Sequence, residues 1–315
     1  MLSRREFLKA CAGVSAAAFG SRVLAPVLAE GFTKLSDSEK PLVAFVQGQC
    51  CAGCSVSLTY GNESDFLDFI MRVINLQVHP TFSFHQGRQY LDDLEKVLDT
   101  GKCILVFEGT IPSVVRDACS LGDKTLYERA EDILRRAEMV ITSGTCSTYG
   151  GIPASGRNLT GALSVAEYME IKNIIKPTLN VPGCPVNPDR LMGSVAYMAA
   201  TGNFPPLIEG KPEMYYSELI HNHCSRHQFF TQDIYLKSFD SDKDTCLLKK
   251  GCRGTITYSD CPTRRWNHKT SVCVEGNTPC VGCINMSWPF TSDIYLNVEN
   301  VNDIPWSVMK QRFEN

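Results

Sequence analysis

Residues 41–54, Pro41-Leu42-Val43-Ala44-Phe45-Val46-Gln47-Gly48-Gln49-Cys50-Cys51-Ala52-Gly53-Cys54, join a short apolar run to a knot of cysteines. Leu42 to Gln47 is brief, rich in Val and bounded by turn residues, which reads as a strand buried on both faces. Runs of the same kind recur at Leu76 to Phe82, Cys103 to Glu108, Met139 to Thr142 and Thr178 to Val181. Between them Asp65 to Ile74, Gln89 to Leu98, Leu126 to Ala137 and Val165 to Ile171 carry apolar residues at helical spacing. Strand and helix in alternation predict an α/β fold, a doubly wound parallel sheet of flavodoxin-like outline, over residues 40–202.

Working outward, the texture changes after Gly202. Asn203 to Lys211 is Pro-rich and reads as a linker. Residues 203–315 hold seven cysteines, frequent Gly and Pro and little sustained periodicity, so they are expected to form a small irregular domain stapled by metal clusters. At the other end Ser3-Arg4-Arg5-Glu6-Phe7-Leu8-Lys9 reads as a twin-arginine signal, with a weakly apolar stretch to Ala29 and cleavage expected there. An anchoring helix is the alternative, and Arg22 interrupts it. Such signals resemble those that export proteins already folded and loaded with cofactor, so residues 1–29 predict a periplasmic destination for a chain rich in free thiols. Beyond Ala29 no run approaches the about 18 apolar residues of a membrane span.

The chain has 315 residues and a formal charge of −3, which supplies no basic footprint for nucleic acid. Its 15 cysteines are the outlying feature, and an odd count over this length fits a disulfide framework poorly. In an open parallel sheet, ligands bind where the loops leave the carboxyl ends of the strands. Three predicted strands run directly into cysteines there: the first into Cys51 and Cys54, the fourth into Cys146, the fifth into Cys184. Four thiolates can therefore meet at one edge, the set an iron-sulfur cube requires, with neighbouring glycines to admit backbone amides. Zinc and dithiol chemistry are the competing readings of a lone CxxC, but neither calls for Cys146 and Cys184 at equivalent strand ends.

The segments QGQCCAGCSVSL (47–58), FEGTIP (107–112), GTCSTYGGIPA (144–154) and VPGCPVNP (181–188) resemble, in order, blocks of nickel-iron hydrogenase small subunits. The resemblance implies that Cys51, Cys54, Cys146 and Cys184 bind a proximal 4Fe-4S cluster facing the nickel-iron centre of a large subunit. It also places Glu108 near that interface, while a capping or solvated carboxylate is the plainer reading. Cys50 stands where the family commonly carries Gly or Glu, and an inert buried thiol, a redox-active thiol and an alternative ligand are all open. Gly53 and Ala154 occupy the places of the extra cysteines of oxygen-tolerant relatives, so that form of the cluster is not expected.

His221 or His223 with Cys224, Cys246 and Cys252 could bind zinc or a cluster on spacing alone. Likeness of IHNHC (220–224) and CLLKKGCRGTITYSDC (246–261) to the family's distal blocks selects His221 as ligand to a distal 4Fe-4S cluster and leaves His223 solvated. Neutral imidazole in place of thiolate raises a cluster's potential. Cys261, Cys273, Cys280 and Cys283 form the medial group. Most relatives carry Pro where Cys273 stands and hold 3Fe-4S, so a fourth thiolate predicts 4Fe-4S of lower potential. Together with Arg264-Arg265-Trp266-Asn267 this resembles the nickel-iron-selenium subgroup, whose selenium would sit in the partner chain. Cys103 and Cys119 remain as structural thiols.

The implied function is electron transfer in a hydrogenase heterodimer, from hydrogen oxidation at the large subunit through three iron-sulfur clusters to a cytochrome, iron-sulfur or membrane acceptor. Alternatives are a complex I-related cluster subunit, a hydrogen sensor and a zinc-stapled binding protein. No catalytic residue is expected in this chain.

Overall fold

The computed structural model describes residues 40–62, 65–239 and 244–289. The signal-like stretch with Arg4 and Arg5, and the polar tail past residue 289, lie outside the described residues.

Five parallel strands make the central sheet: β1 (Leu42–Gln47), β2 (Asn75–Val78), β3 (Cys103–Glu108), β4 (Met139–Ser143) and β5 (Thr178–Val181). Their order, β2-β1-β3-β4-β5, is the flavodoxin-like one expected. Side chains alternate across the sheet. Val43, Phe45, Ile104, Val106 and Ile141 bury one way, Ala44, Val46, Leu105, Phe107 and Val140 the other. The second face is covered by α3 (Arg88–Asp99), α4 (Leu126–Arg136) and α6 (Val165–Ile171), reached after two earlier helices, α1 (Gly53–Ser57) and α2 (Phe66–Arg72). On the first face lie α2 and α7 (Pro188–Thr201), with the short α5 (Gly144–Tyr149) leaving β4.

The strand expected over Leu76 to Phe82 ends at Val78. His79 is fully buried there and its Nδ1 accepts from the Thr81 amide at 3.0 Å, turning the chain away from the sheet. Helix α7 is absent from the sequence-based expectation because it is buried all round. Asp189, Arg190 and Ser194 are inside along with Leu191, Met192 and Val195, so no polar face marks its period. Its end signals are in place nonetheless: Asn187 caps Asp189 N at 3.1 Å, Pro188 opens the first turn and Gly202 closes it. The segment read as a linker folds into a hairpin, Leu207–Ile208 against Lys211–Pro212, and the Asn180 amide of β5 donates to Gly210 O at 2.9 Å.

Beyond residue 216 regular structure shrinks to single turns, among them Ile220–His223, His227–Thr231 and Cys261–Arg264. This region is fastened to the α/β part by polar contacts. Asn62 bonds Asp189, Arg265 O and Lys269 N at 2.8–3.1 Å, and Thr145 Oγ1 donates to Cys283 O at 2.5 Å.

Candidate metal sites

Strand register aligns Gln47 with Glu108 and Glu108 with Ser143, so three strand ends open on one edge. From β1 the chain turns through Ala52, in the left-handed region at φ 59°, into α1. Glu108, 2% exposed, accepts from Cys54 N at 3.0 Å, Ser55 N at 3.2 Å, Ser55 Oγ at 2.5 Å and Gln47 Nε2 at 3.1 Å. It is a cap supplied by a neighbouring strand rather than a solvated carboxylate, and it fixes the cysteine-bearing turn. From β4, Gly144 at φ 87° admits the chain so close to Cys54 that a Cβ would stand 2.3 Å from its sulfur. A Cβ on Gly151 would likewise stand 3.1 Å from Cys146 Sγ. Cys184 follows β5, where Gly183 O accepts from Thr145 N at 2.9 Å.

The four sulfurs sense one another. Cys54 is raised by burial, then by Glu108, Cys146 and Cys184; Cys146 is pushed up to about 11 by burial, with Cys51 contributing; Cys184 is pushed up to about 12 by burial, then by Cys146, Cys283 and Cys51. Thiols so placed need a cationic core to ionise. Cys50 lies beside them, pushed up to about 12 by burial and accepting from Ala52 N at 3.4 Å. Cys103 is buried in the sheet core and Cys119 packs against it, as expected of structural thiols.

His221, Cys224, Cys246 and Cys252 line one cavity, walled also by Arg226 and Val274. Inside the protein, His221 Nε2 is buried and meets no hydrogen-bond partner. Its ring is wedged by Phe230, edge-on at 4.5 Å, and by His227 at 4.8 Å, and burial lowers its pKa. An imidazole held neutral with an open nitrogen is ready to ligate. His223 turns instead toward Glu218 at 3.6 Å, its side chain 45% exposed.

The remaining four cysteines also meet. Beyond burial, Cys283 is raised by Cys261 and Cys273, Cys280 first by Cys252 of the neighbouring group and then by Cys283 and Cys261, and Cys273 by Cys261. Two hydrogen bonds connect the three groups: Thr145 Oγ1, beside Cys146, donates to Cys283 O at 2.5 Å, and the Cys280 amide donates to Cys252 Sγ at 3.3 Å.

The donor chemistry fits iron-sulfur clusters. Among the described residues all 14 cysteines are free, and no three His, Cys, Asp or Glu donors converge on one point. A zinc ion needs its thiolates at about 2.3 Å from a single centre. Eleven thiols and one neutral imidazole, in three sets of four, match the four-donor requirement of iron-sulfur clusters.

Sequence reasoning missed the scaffold around these donors. Gln47 and Ser55 hold Glu108, while Arg190, Asp260 and Ser259 surround Cys261. Gln47, Ser55 and Arg190 act on residues distant in the chain, so no local signal marks them; Ser259 and Asp260 adjoin Cys261 in sequence, but their role depends on the distant Arg190.

Comparison with known proteins agrees with this architecture. Residues 216–296 match the family model for the C-terminal part of the NiFe/NiFeSe hydrogenase small subunit, and residues 51–198 match that of the NADH ubiquinone oxidoreductase 20 kDa subunit. The chain is 33% identical to the periplasmic [NiFeSe] hydrogenase small subunit of Desulfomicrobium baculatum over 91% of this chain and 96% of that one. It is 31% identical to the hydrogenase-2 small chain of Escherichia coli K12, over 95% and 81%. A solved [NiFeSe] hydrogenase from Dm. baculatum superposes with a TM-score of 0.77 at 33% identity, covering 82% of this chain and 99% of that chain. The [NiFeSe] hydrogenase of Desulfovibrio vulgaris Hildenborough gives 0.76 at 30% identity, covering 81% and 97%. Fold and donors together define a subunit of a hydrogen-metabolising oxidoreductase. The chain belongs to the nickel-iron hydrogenase small-subunit family, whose members work as one half of a heterodimer with a large subunit. The α/β part alone is shared with the respiratory subunit, so residues 216–296 make the distinction.

Proposed function

We propose that this chain conducts electrons from hydrogen oxidation at its large subunit through three clusters in series to an external acceptor. The proximal site is Cys51, Cys54, Cys146 and Cys184; the medial is Cys261, Cys273, Cys280 and Cys283; the distal is His221, Cys224, Cys246 and Cys252. Clusters at these sites would supply one-electron carriers, each 4Fe-4S, the medial one completed by Cys273. The observation that supports the reading is the pair of hydrogen bonds from Thr145 Oγ1 to Cys283 O and from Cys280 N to Cys252 Sγ, which join the groups in the sequence proximal, medial, distal. Glu108 shapes the end nearest the large subunit by clamping the Cys51 to Cys54 turn. His221 marks the exit, where imidazole ligation favours a higher potential.

In this reading residues 40–202 form the domain of the proximal site and residues 203–315 that of the other two. Residues 1–29 direct folded export by the twin-arginine route to the periplasm, the location in the names of several relatives. Among the described residues no helix is long and apolar enough to cross a membrane. In this reading electrons leave to a cytochrome, iron-sulfur or membrane acceptor. Metal and sulfide analysis of the purified heterodimer, with paramagnetic resonance during reduction, tests the assignment. Abundant zinc with little sulfide would overturn it. A full-yield 3Fe-4S signal would overturn the role of Cys273 alone.

A further inference from the structure

Arg190 is 1% exposed, on the first turns of α7 between the sheet and the C-terminal region. Its guanidinium is aimed at the medial group: Nη2 donates to Cys261 Sγ at 3.0 Å and to Ser259 Oγ at 2.5 Å, and Nε donates to Asp260 Oδ1 at 2.9 Å. Ser259 Oγ, having accepted from Arg190, lies 3.3 Å from the same sulfur and has its own proton to give. The Tyr216 ring flanks the guanidinium at 5.2 Å. Asp260 does not belong to Arg190 alone, since its Oδ2 accepts from Arg264 Nε at 2.6 Å. A permanently charged fork held in a nearly dry place needs acceptors that carry charge, and a metal-bound thiolate is one.

We infer that Arg190 raises the reduction potential of the medial cluster, through its charge and its hydrogen bond to Cys261. The inference rests on the medial ligand assignment above. A fourth thiolate converts a 3Fe-4S site to the lower-potential 4Fe-4S type, whereas donors to ligand sulfurs and nearby cations raise a cluster's potential. Arg190 therefore offsets what Cys273 costs, keeping the middle carrier within reach of both neighbours. Ser259 assists with a second, weaker donor to the same sulfur.

The test is a redox titration of the intact heterodimer followed by paramagnetic resonance, with iron counted in each preparation. Arg190→Gln should shift the medial one-electron equilibrium at least tenfold toward the oxidised form, about 59 mV downward. Proximal and distal potentials and the iron count should stay put. Arg190→Lys, retaining charge, should recover most of the shift. Ser259→Ala leaves the buried charge in place and should move the medial potential the same way by less; it carries the test if Arg190→Gln fails to accumulate. An unmoved medial potential in fully loaded Arg190→Gln or Ser259→Ala would overturn the inference, as would equal shifts in Arg190→Gln and Arg190→Lys. Absence of any medial species from the wild-type protein would instead overturn the ligand assignment itself.

Discussion

In the α/β part β3 buries all six of its residues, and apolar side chains from both sheet faces lock onto α2, α3, α4, α6 and α7. In the C-terminal region the separate core comprises Leu236, Leu247, Val272 and Val274, with Cys224, Cys252 and Cys261 packed against it. One part is held by burial of apolar surface, and the other gathers its chain around sulfur. The difference teaches where each part can draw its stability: the first from the hydrophobic effect, and the second, on the proposed ligand assignment, from bonds to metal, as small metal-dependent domains do. In the proposed reading it also divides the functional labour, with the sheet edge presenting the first site and the C-terminal wrap carrying the other two.

The comparison breaks most visibly when metal is withheld. Protein made under iron starvation should lose amide-exchange protection across residues 216–289, while β1, β3 and β4 stay protected. Equal loss in both parts would remove the distinction. Core damage should act on the opposite side. Leu105→Ala, at a fully buried position of β3, should cost about 2–5 kcal/mol in denaturant unfolding of the α/β part and leave the medial and distal potentials unchanged.

Acid sharpens the contrast further. Burial lowers His79 from 6.5 to about 3, so the unfolded chain binds a proton that the folded chain refuses. Its contribution is full above pH 6.5 and is lost as pH falls through that window toward 3, at up to about 1.4 kcal/mol per pH unit. His79→Asn should flatten the pH dependence of the unfolding midpoint between pH 7 and 5 by about one proton. The smallest effect belongs to the helix surface. Thr125 caps Glu128 N at 3.3 Å and Glu128 answers to Thr125 N at 3.0 Å, so Thr125→Ala should cost about 1 kcal/mol in the same assay and leave cluster content unchanged.

The sheet was legible because buried parallel strands are short apolar runs with turn residues at their ends. Leu42–Gln47, Cys103–Glu108 and Thr178–Val181 fall where the pattern places them. Helix α7 was not, since both its sides are covered and Asp189 and Arg190 sit inside where polarity normally signals solvent. Cysteines at strand ends could be grouped by topology, but the choice of His221 over His223 needed family likeness. In the fold the two differ plainly, one ring enclosed in the cysteine-lined cavity and the other facing Glu218. Arg190 and Glu108 were illegible as supports for a sulfur, because their partners Cys261 and Cys54 lie 71 and 54 residues away in sequence.

Anomalous diffraction at the iron edge, on crystals of the heterodimer, tests the series of sites most directly. The account predicts three separate iron groups in this chain, between Cys51 and Cys184, between Cys261 and Cys283, and beside His221, in that spatial order. Fewer groups, a different order, or single zinc peaks at those cysteines would contradict it.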